Sequence, residues 1–142
     1  MYLWDANILR AFAEGNSMLQ QHLARVSWSE IALPSIVVAE VLRGRCEFTL
    51  KATPEQAPLA HKRLVETQQL LQQFQVVVFD QKCSEVFVQI RHTLKSRKRY
   101  ADFMIAAMAQ AHHHVVVTRN LSDFADLLPA RQLVNWLDTP PA

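Results

Sequence analysis

Four acidic residues occupy places where catalytic chemistry could use them and where an ordinary core would not tolerate them. Asp5 and Asn7 follow the apolar run Tyr2-Leu3-Trp4, and Asp123 follows Val115-Val116-Val117 after the polar stretch Thr118-Arg119-Asn120. Glu40 interrupts Ile36-Val37-Val38-Ala39-Glu40-Val41-Leu42, and Asp102 precedes Phe103-Met104-Ile105-Ala106-Ala107-Met108-Ala109. An ionised carboxylate on a buried apolar helix is costly unless it is paired, hydrogen-bonded or bound to a metal ion. Each acid alone has an ordinary explanation: a salt bridge, a helix cap at Asp5, or a favourable place near a helix N-terminus for Asp102 and Asp123. Together they read as an oxygen-only ligand set, which suits Mg²⁺ or Mn²⁺ rather than zinc. Such a set serves phosphodiester hydrolysis, where the ion acidifies an attacking water and neutralises charge on the scissile phosphate. Without a cation the carboxylates would repel one another and the substrate, so strict metal dependence is expected.

Other chemistries are poorly supplied. Only two glycines occur, Gly15 and Gly44, so there is no glycine-rich phosphate loop of the P-loop or dinucleotide-binding kind. The two cysteines, Cys46 and Cys83, form no CxxC pair and read as small apolar fillers in a reducing setting. His112-His113-His114 reads as a helix end, where imidazoles suit the C-terminal dipole. Three consecutive residues cannot all face one ion, and no matching Cys or His lies nearby in sequence. No nucleophile with a His partner is identifiable. The net charge is only +2, but Arg91, Lys95, Arg97, Lys98 and Arg99 form a basic run without an acid. That run is either a solvated helix face or a phosphate-attracting patch beside Asp102. Arg43 and Arg119 are further candidates for contacting phosphates, and Tyr100 or Trp4 for stacking on bases, with Trp4 reading first as core.

The elements that must position these residues alternate. Strands are expected at 2–4, 31–33, 76–79, 115–117 and 132–136. Helices are expected through 9–12, at 18–25 with Ser17 as cap, from Pro34-Ser35 to near Gly44, from 53 to 74, and at 84–98, 100–111 and 122–128. Apolar strands alternating with helices mean an α/β domain with a parallel sheet covered on both faces. Ligands then bind beyond the carboxyl ends of the strands, where the acids lie. The 142 residues form one expected domain, 1–138, with a short tail at 139–142. With no visible signal peptide and no apolar stretch of membrane-spanning length, a cytoplasmic protein is expected.

Four motifs in order resemble those of PIN-domain ribonucleases, and more closely the VapC-like toxins of toxin–antitoxin pairs. Leu3-Trp4-Asp5-Ala6-Asn7-Ile8-Leu9 is similar to the family's opening strand and Asp-x-Asn motif. Pro34-Ser35-Ile36-Val37-Val38-Ala39-Glu40-Val41 is similar to the segment bearing its Glu. Asp102-Phe103-Met104-Ile105-Ala106-Ala107 and Val117-Thr118-Arg119-Asn120-Leu121-Ser122-Asp123-Phe124 are similar to its last two motifs. The resemblance implies a PIN-like α/β/α sandwich and an endoribonuclease leaving 3′-hydroxyl and 5′-phosphate ends. It implies Asp5, Glu40, Asp102 and Asp123 as the metal-binding acidic set, with Asn7, Thr118 and Asn120 as supporting polar residues. It also implies a VapB-like antitoxin partner, which would block the pocket with a basic side chain, and a homodimer. Two places depart from the family pattern. Ala6 stands where a hydroxyl residue is common, and Lys98-Arg99-Tyr100-Ala101 and His112-His113-His114 stand where glycine is common. A DNA or flap nuclease with the same pocket, and a non-catalytic RNA- or protein-binding module, remain alternative readings of the residues.

Overall fold

In the computed structural model, which describes residues 1–94 and 99–142, the apolar N-terminal segment is the middle of a sheet. Strand β1 (Tyr2–Trp4) pairs in parallel with β2 (Ile31–Pro34) on one side and β4 (Val115–Val117) on the other. Outside these lie β3 (Gln75–Val77) and β5 (Leu133–Val134), giving the all-parallel order β3-β2-β1-β4-β5. Parallel neighbours need crossovers. Helices α1 (Ala6–Ala13) and α2 (Ser17–Leu23) link β1 to β2, and α3 (Ser35–Lys51) and α4 (Ala57–Leu71) link β2 to β3. Helices α5 (Gln81–Thr93) and α6 (Tyr100–His112) return the chain to β4, and α7 (Leu121–Phe124) precedes β5. The result is an α/β/α sandwich.

Alternation along the strands sorts side chains between the two faces. Trp4, Ile31, Leu33 and Val117 face α1, α2 and α4, in a core shared with Leu9, Leu19, Phe74 and Trp136. Leu3, Ala32 and Val116 face the opposite way, toward residues of α5 and α6 such as Cys83, Phe103, Ala107 and Met108. Trp4 is fully buried and centres an aromatic cluster with Phe12, Phe74, Trp28 and Trp136, at ring separations of 5.6, 5.3, 6.2 and 6.5 Å. It is therefore core and not a stacking surface for bases.

Several boundaries differ from the sequence expectation for local reasons. Gly15 (φ 72°) turns the chain out of α1, and Asn16, rather than Ser17, caps α2 by accepting the Leu19 N–H at 3.0 Å. Helix α3 runs through Gly44 to Lys51. Helix α4 starts at Ala57 and not at Thr53, because Thr53 and Gln56 exchange side-chain-to-backbone hydrogen bonds in a turn and Pro58 falls in the first helical turn. Strand β3 ends at Val77; as an edge strand it leaves Val76 and Val78 exposed. Cys83 is buried as expected, but Cys46 is exposed on α3 and is no core filler. The far end of the expected 84–98 helix, including Lys95, Arg97 and Lys98, lies outside the described residues. Among the described residues no helix is long and apolar enough to cross a membrane.

Candidate active site

The sheet order reverses direction at β1 and β4, and the ends of these two strands build the centre of the site. The Asp5 N–H donates to the Val117 carbonyl and the Thr118 N–H to the Val134 carbonyl, each at 3.0 Å, so both residues are fixed by the sheet itself. One Asp5 oxygen caps α1 by accepting the Ala6 N–H at 2.8 Å; the other accepts the buried Thr118 hydroxyl at 2.9 Å. Thr118 Oγ1 in turn accepts the Asn120 N–H at 3.0 Å and the Asn7 amide at 3.3 Å. Asn7 Oδ1 accepts the Arg119 N–H at 3.1 Å, closing the network. Asn7 and Thr118 thus support Asp5 through their side chains, whereas the contribution of Asn120 comes from its backbone.

The other acids are brought toward Asp5 from separate helices. Glu40 is half-buried on α3; burial first, and then the Asp5 charge, raise its carboxyl pKa, with Arg43 opposing. Asp102, in the first turn of α6, is pushed up to about 6. Burial is the main cause, followed by the charges of Asp5 and Asp123, with Arg99 opposing and Glu40 adding a smaller push. Asp123 is exposed on α7 at the rim. The structure therefore gathers all four predicted acids into one electrostatically coupled group.

Among the described residues, two of the nearby arginines are gripped by acids outside this group. Arg99 Nε lies 3.9 Å from Asp102, but its terminal nitrogens grip Asp126 at 3.0 and 3.1 Å and its plane lies over Phe103. Arg119 is held by Asp138 through two contacts of 3.1 Å. Arg43 is exposed one turn beyond Glu40. Asp126 and Asp138 were not singled out in the sequence; each lies in an unremarkable loop context, and only the fold shows which arginine it holds. Lys95, Arg97 and Lys98 lie outside the described residues. Tyr100 is exposed and shares the Arg91 guanidinium with Phe87 at 5.6 and 5.7 Å.

The residues fit a hydrated divalent cation. The donors are all oxygens, and the Asp5 charge pushes up both Glu40 and Asp102, a repulsion that a cation would relieve. Among the described residues, the trio of metal-ligating side chains whose atoms all fall within 4.8 Å of one another is Asp80, Cys83 and His112, not a trio from these acids. An ion of the Mg²⁺ type keeps several of its waters and does not need every acid as a direct ligand. A cleft of about 580 Å³ adjoins the pocket between α1, α3 and α4, with Ala6 and Glu40 common to both and Arg10, Arg45 and Thr67 on its walls.

These features define a three-layer α/β domain with an acidic pocket at the carboxyl edge of its sheet. The chain belongs to the PIN-domain family, whose model matches residues 2–127. Similar solved structures include FitAcB from Neisseria gonorrhoeae (26% identity, TM-score 0.71, covering 98% of this chain and 100% of that one). A toxin–antitoxin complex from Klebsiella pneumoniae (24%, TM-score 0.69, 98% and 100%) and DNA-bound VapBC from Salmonella typhimurium (23%, TM-score 0.73, 95% and 97%) share the fold. No curated protein matches the chain significantly.

Proposed function

We propose that this chain is a Mg²⁺- or Mn²⁺-dependent endoribonuclease acting in the cytoplasm as the toxin of a toxin–antitoxin pair. Residues 1–138 would form its single nuclease domain. The observation that carries the reading is the convergence of four carboxylates on one pocket, where burial first and then the charges of Asp5 and Asp123 raise Asp102 to about 6. Asp5, Glu40, Asp102 and Asp123 are the residues that would hold the metal ion. When bound, the ion supplies an acidified water for attack on the phosphodiester and neutralises charge on phosphate and leaving oxygen.

The chain's own residues do the positioning. Thr118 and the Ala6 N–H fix both oxygens of Asp5, so that carboxylate meets the ion without reorganising. Asn7 and Asn120 hold Thr118 in turn. Glu40 and Asp102 give up charge repulsion, and at low pH a proton, when the cation arrives. Arg43 and the basic run of Lys95, Arg97, Lys98 and Arg99, with Arg119, are proposed to attract RNA phosphates. Arg99 and Arg119 contribute this field from guanidinium groups already anchored by Asp126 and Asp138. The toxin role and a VapB-like antitoxin are supported by the toxin–antitoxin complex and the VapBC complex among the similar structures; a homodimer is proposed on the family resemblance alone.

Incubating wild type and Asp102→Asn with mixed cellular RNA, in Mg²⁺, Mn²⁺ or EDTA, tests the reading. Cleavage by wild type alone, abolished by EDTA, is expected. Cleavage that survives EDTA or the substitution would overturn the metal-nuclease reading, and faster cleavage of the matching DNA would favour the DNA or flap nuclease.

A further inference from the structure

Away from the carboxylate pocket, three donor atoms of different kinds meet at the other end of α6. They belong to Asp80, Cys83 and His112, and all lie within 4.8 Å of one another. Asp80 precedes α5 and Cys83 sits in its first turn, a spacing that puts both on one side of the helix start. His112 is the last residue of α6, and its Nε2 lies 2.7 Å from Asp80 Oδ2. Capping accounts for the other oxygen, Oδ1, which accepts the Cys83 N–H at 3.0 Å. Asp80 Oδ2 is therefore turned toward the histidine and the thiol. Cys83 is fully buried while Asp80 and His112 are exposed, so the sulfur forms the floor and the other two form a rim open to solvent.

We propose that Asp80, Cys83 and His112 form a second cation site, selective for a thiophilic divalent ion of the zinc class. A sulfur, an imidazole nitrogen and one carboxylate oxygen are poor partners for Mg²⁺ and good ones for Zn²⁺, which binds such mixed sets tetrahedrally. The fourth position faces the solvent side and takes water. Binding releases the thiol proton of Cys83 to solvent, and the ion takes the place of the direct His112–Asp80 hydrogen bond. His112 lies ten residue steps beyond Asp102, about 15 Å along α6. The ion is thus a staple between the start of α5 and the end of α6, chemically and spatially distinct from the pocket.

Co²⁺ is a suitable probe, because thiolate ligation gives it a strong near-ultraviolet charge-transfer band. The full chain is titrated with Co²⁺ in excess Mg²⁺, which keeps the oxygen-only pocket filled, and folding is checked by circular dichroism. One Co²⁺ per chain with the charge-transfer band, displaced by Zn²⁺, is expected. Cys83→Ser is expected to lose the band. Because that change falls in the core, Asp80→Asn, which keeps a capping side chain, and His112→Ala test the rim. Each is expected to weaken Co²⁺ binding by more than the roughly 10- to 100-fold that loss of an outer-sphere partner costs, with RNA cleavage in Mg²⁺ unchanged. The proposal is overturned if folded wild type shows no charge-transfer band. It is equally overturned if the band survives Cys83→Ser, which would assign it to the exposed Cys46, or if both rim variants bind Co²⁺ like wild type.

Discussion

Replacing Asp102 by Asn is expected to remove cleavage and yet to stabilise the metal-free protein. The rise of the Asp102 carboxyl from 3.8 to about 6 corresponds to about 3 kcal/mol against the ionised form. Its side chain is 25% exposed, so water screens part of this and about 1–3 kcal/mol is the working figure. In a domain of this size that is a gain of roughly 3–10 °C in Tm for the variant in EDTA at pH 7.5. The sign follows from proton linkage. Between 3.8 and about 6 the folded chain binds more protons at Asp102 than the unfolded chain does, so its penalty grows as pH rises through that window and is complete above it. The gap between variant and wild type therefore narrows as pH falls from 7.5 to 5. His114, held down at about 4 by burial and neighbouring positive charge, works in the opposite direction but is common to both proteins and cancels. Asp80, near 2, matters only below this range. Added Mn²⁺ reverses the order, since wild type gains a ligand that the variant binds weakly. Thermal unfolding of both proteins at three pH values, with EDTA and with Mn²⁺, provides the measurement. A variant less stable than wild type in EDTA at pH 7.5, or a gap that does not narrow toward pH 5, would refute the electrostatic account.

Thr118→Val, which removes the hydroxyl bonded to Asp5, is expected to lower Mn²⁺ affinity about 10- to 100-fold, while Thr118→Ser retains it; isothermal titration separates the two. Asp126→Ala frees Arg99 to engage Asp102 directly and is expected to weaken metal binding by competition. An unchanged Mn²⁺ titration would show that Arg99 stays where it is. Trp4→Ala is expected to cost about 3–5 kcal/mol in denaturant unfolding. Trp4→Phe is expected to cost clearly less, because it leaves a smaller cavity while likewise removing the indole N–H, which is buried without a hydrogen-bond partner among the described residues.

The acids were legible in the sequence because each breaks a local rule. Glu40 and Asp102 interrupt apolar helices, and Asp5 ends an apolar strand, so a short window suffices to see them. The central strands were legible as apolar runs, Val115–Val117 to the residue, while the edge strands expected at 76–79 and 132–136 form at Gln75–Val77 and Leu133–Val134. The arginine anchors were not. Asp126 meets Arg99 from 27 residues away and Asp138 meets Arg119 from 19, beyond any helical or strand period. The histidine triplet was read as a plain helix end, and α6 does end there, with His113 in the left-handed conformation. Its partners, Asp80 and Cys83, come from the start of another helix 32 and 29 residues earlier in the chain, a closeness that only the packing of α5 on α6 creates. Boundaries failed where side chains compete with the helix, as Thr53 and Gln56 do before α4.

The bond between Thr118 and Asp5 spans 113 residues, and it joins the first strand made to the fourth. During synthesis β1 leaves the ribosome first, yet one of its two edges stays unpaired until β4 follows. At about 5–20 residues per second, that interval lasts roughly 6 to 20 s. Asp5 has no Thr118 to orient it in that time, and Asp123 does not yet exist. A partly made chain therefore lacks the assembled carboxylate pocket. The pocket is assembled only once β4 has docked beside β1 and α7 has followed it.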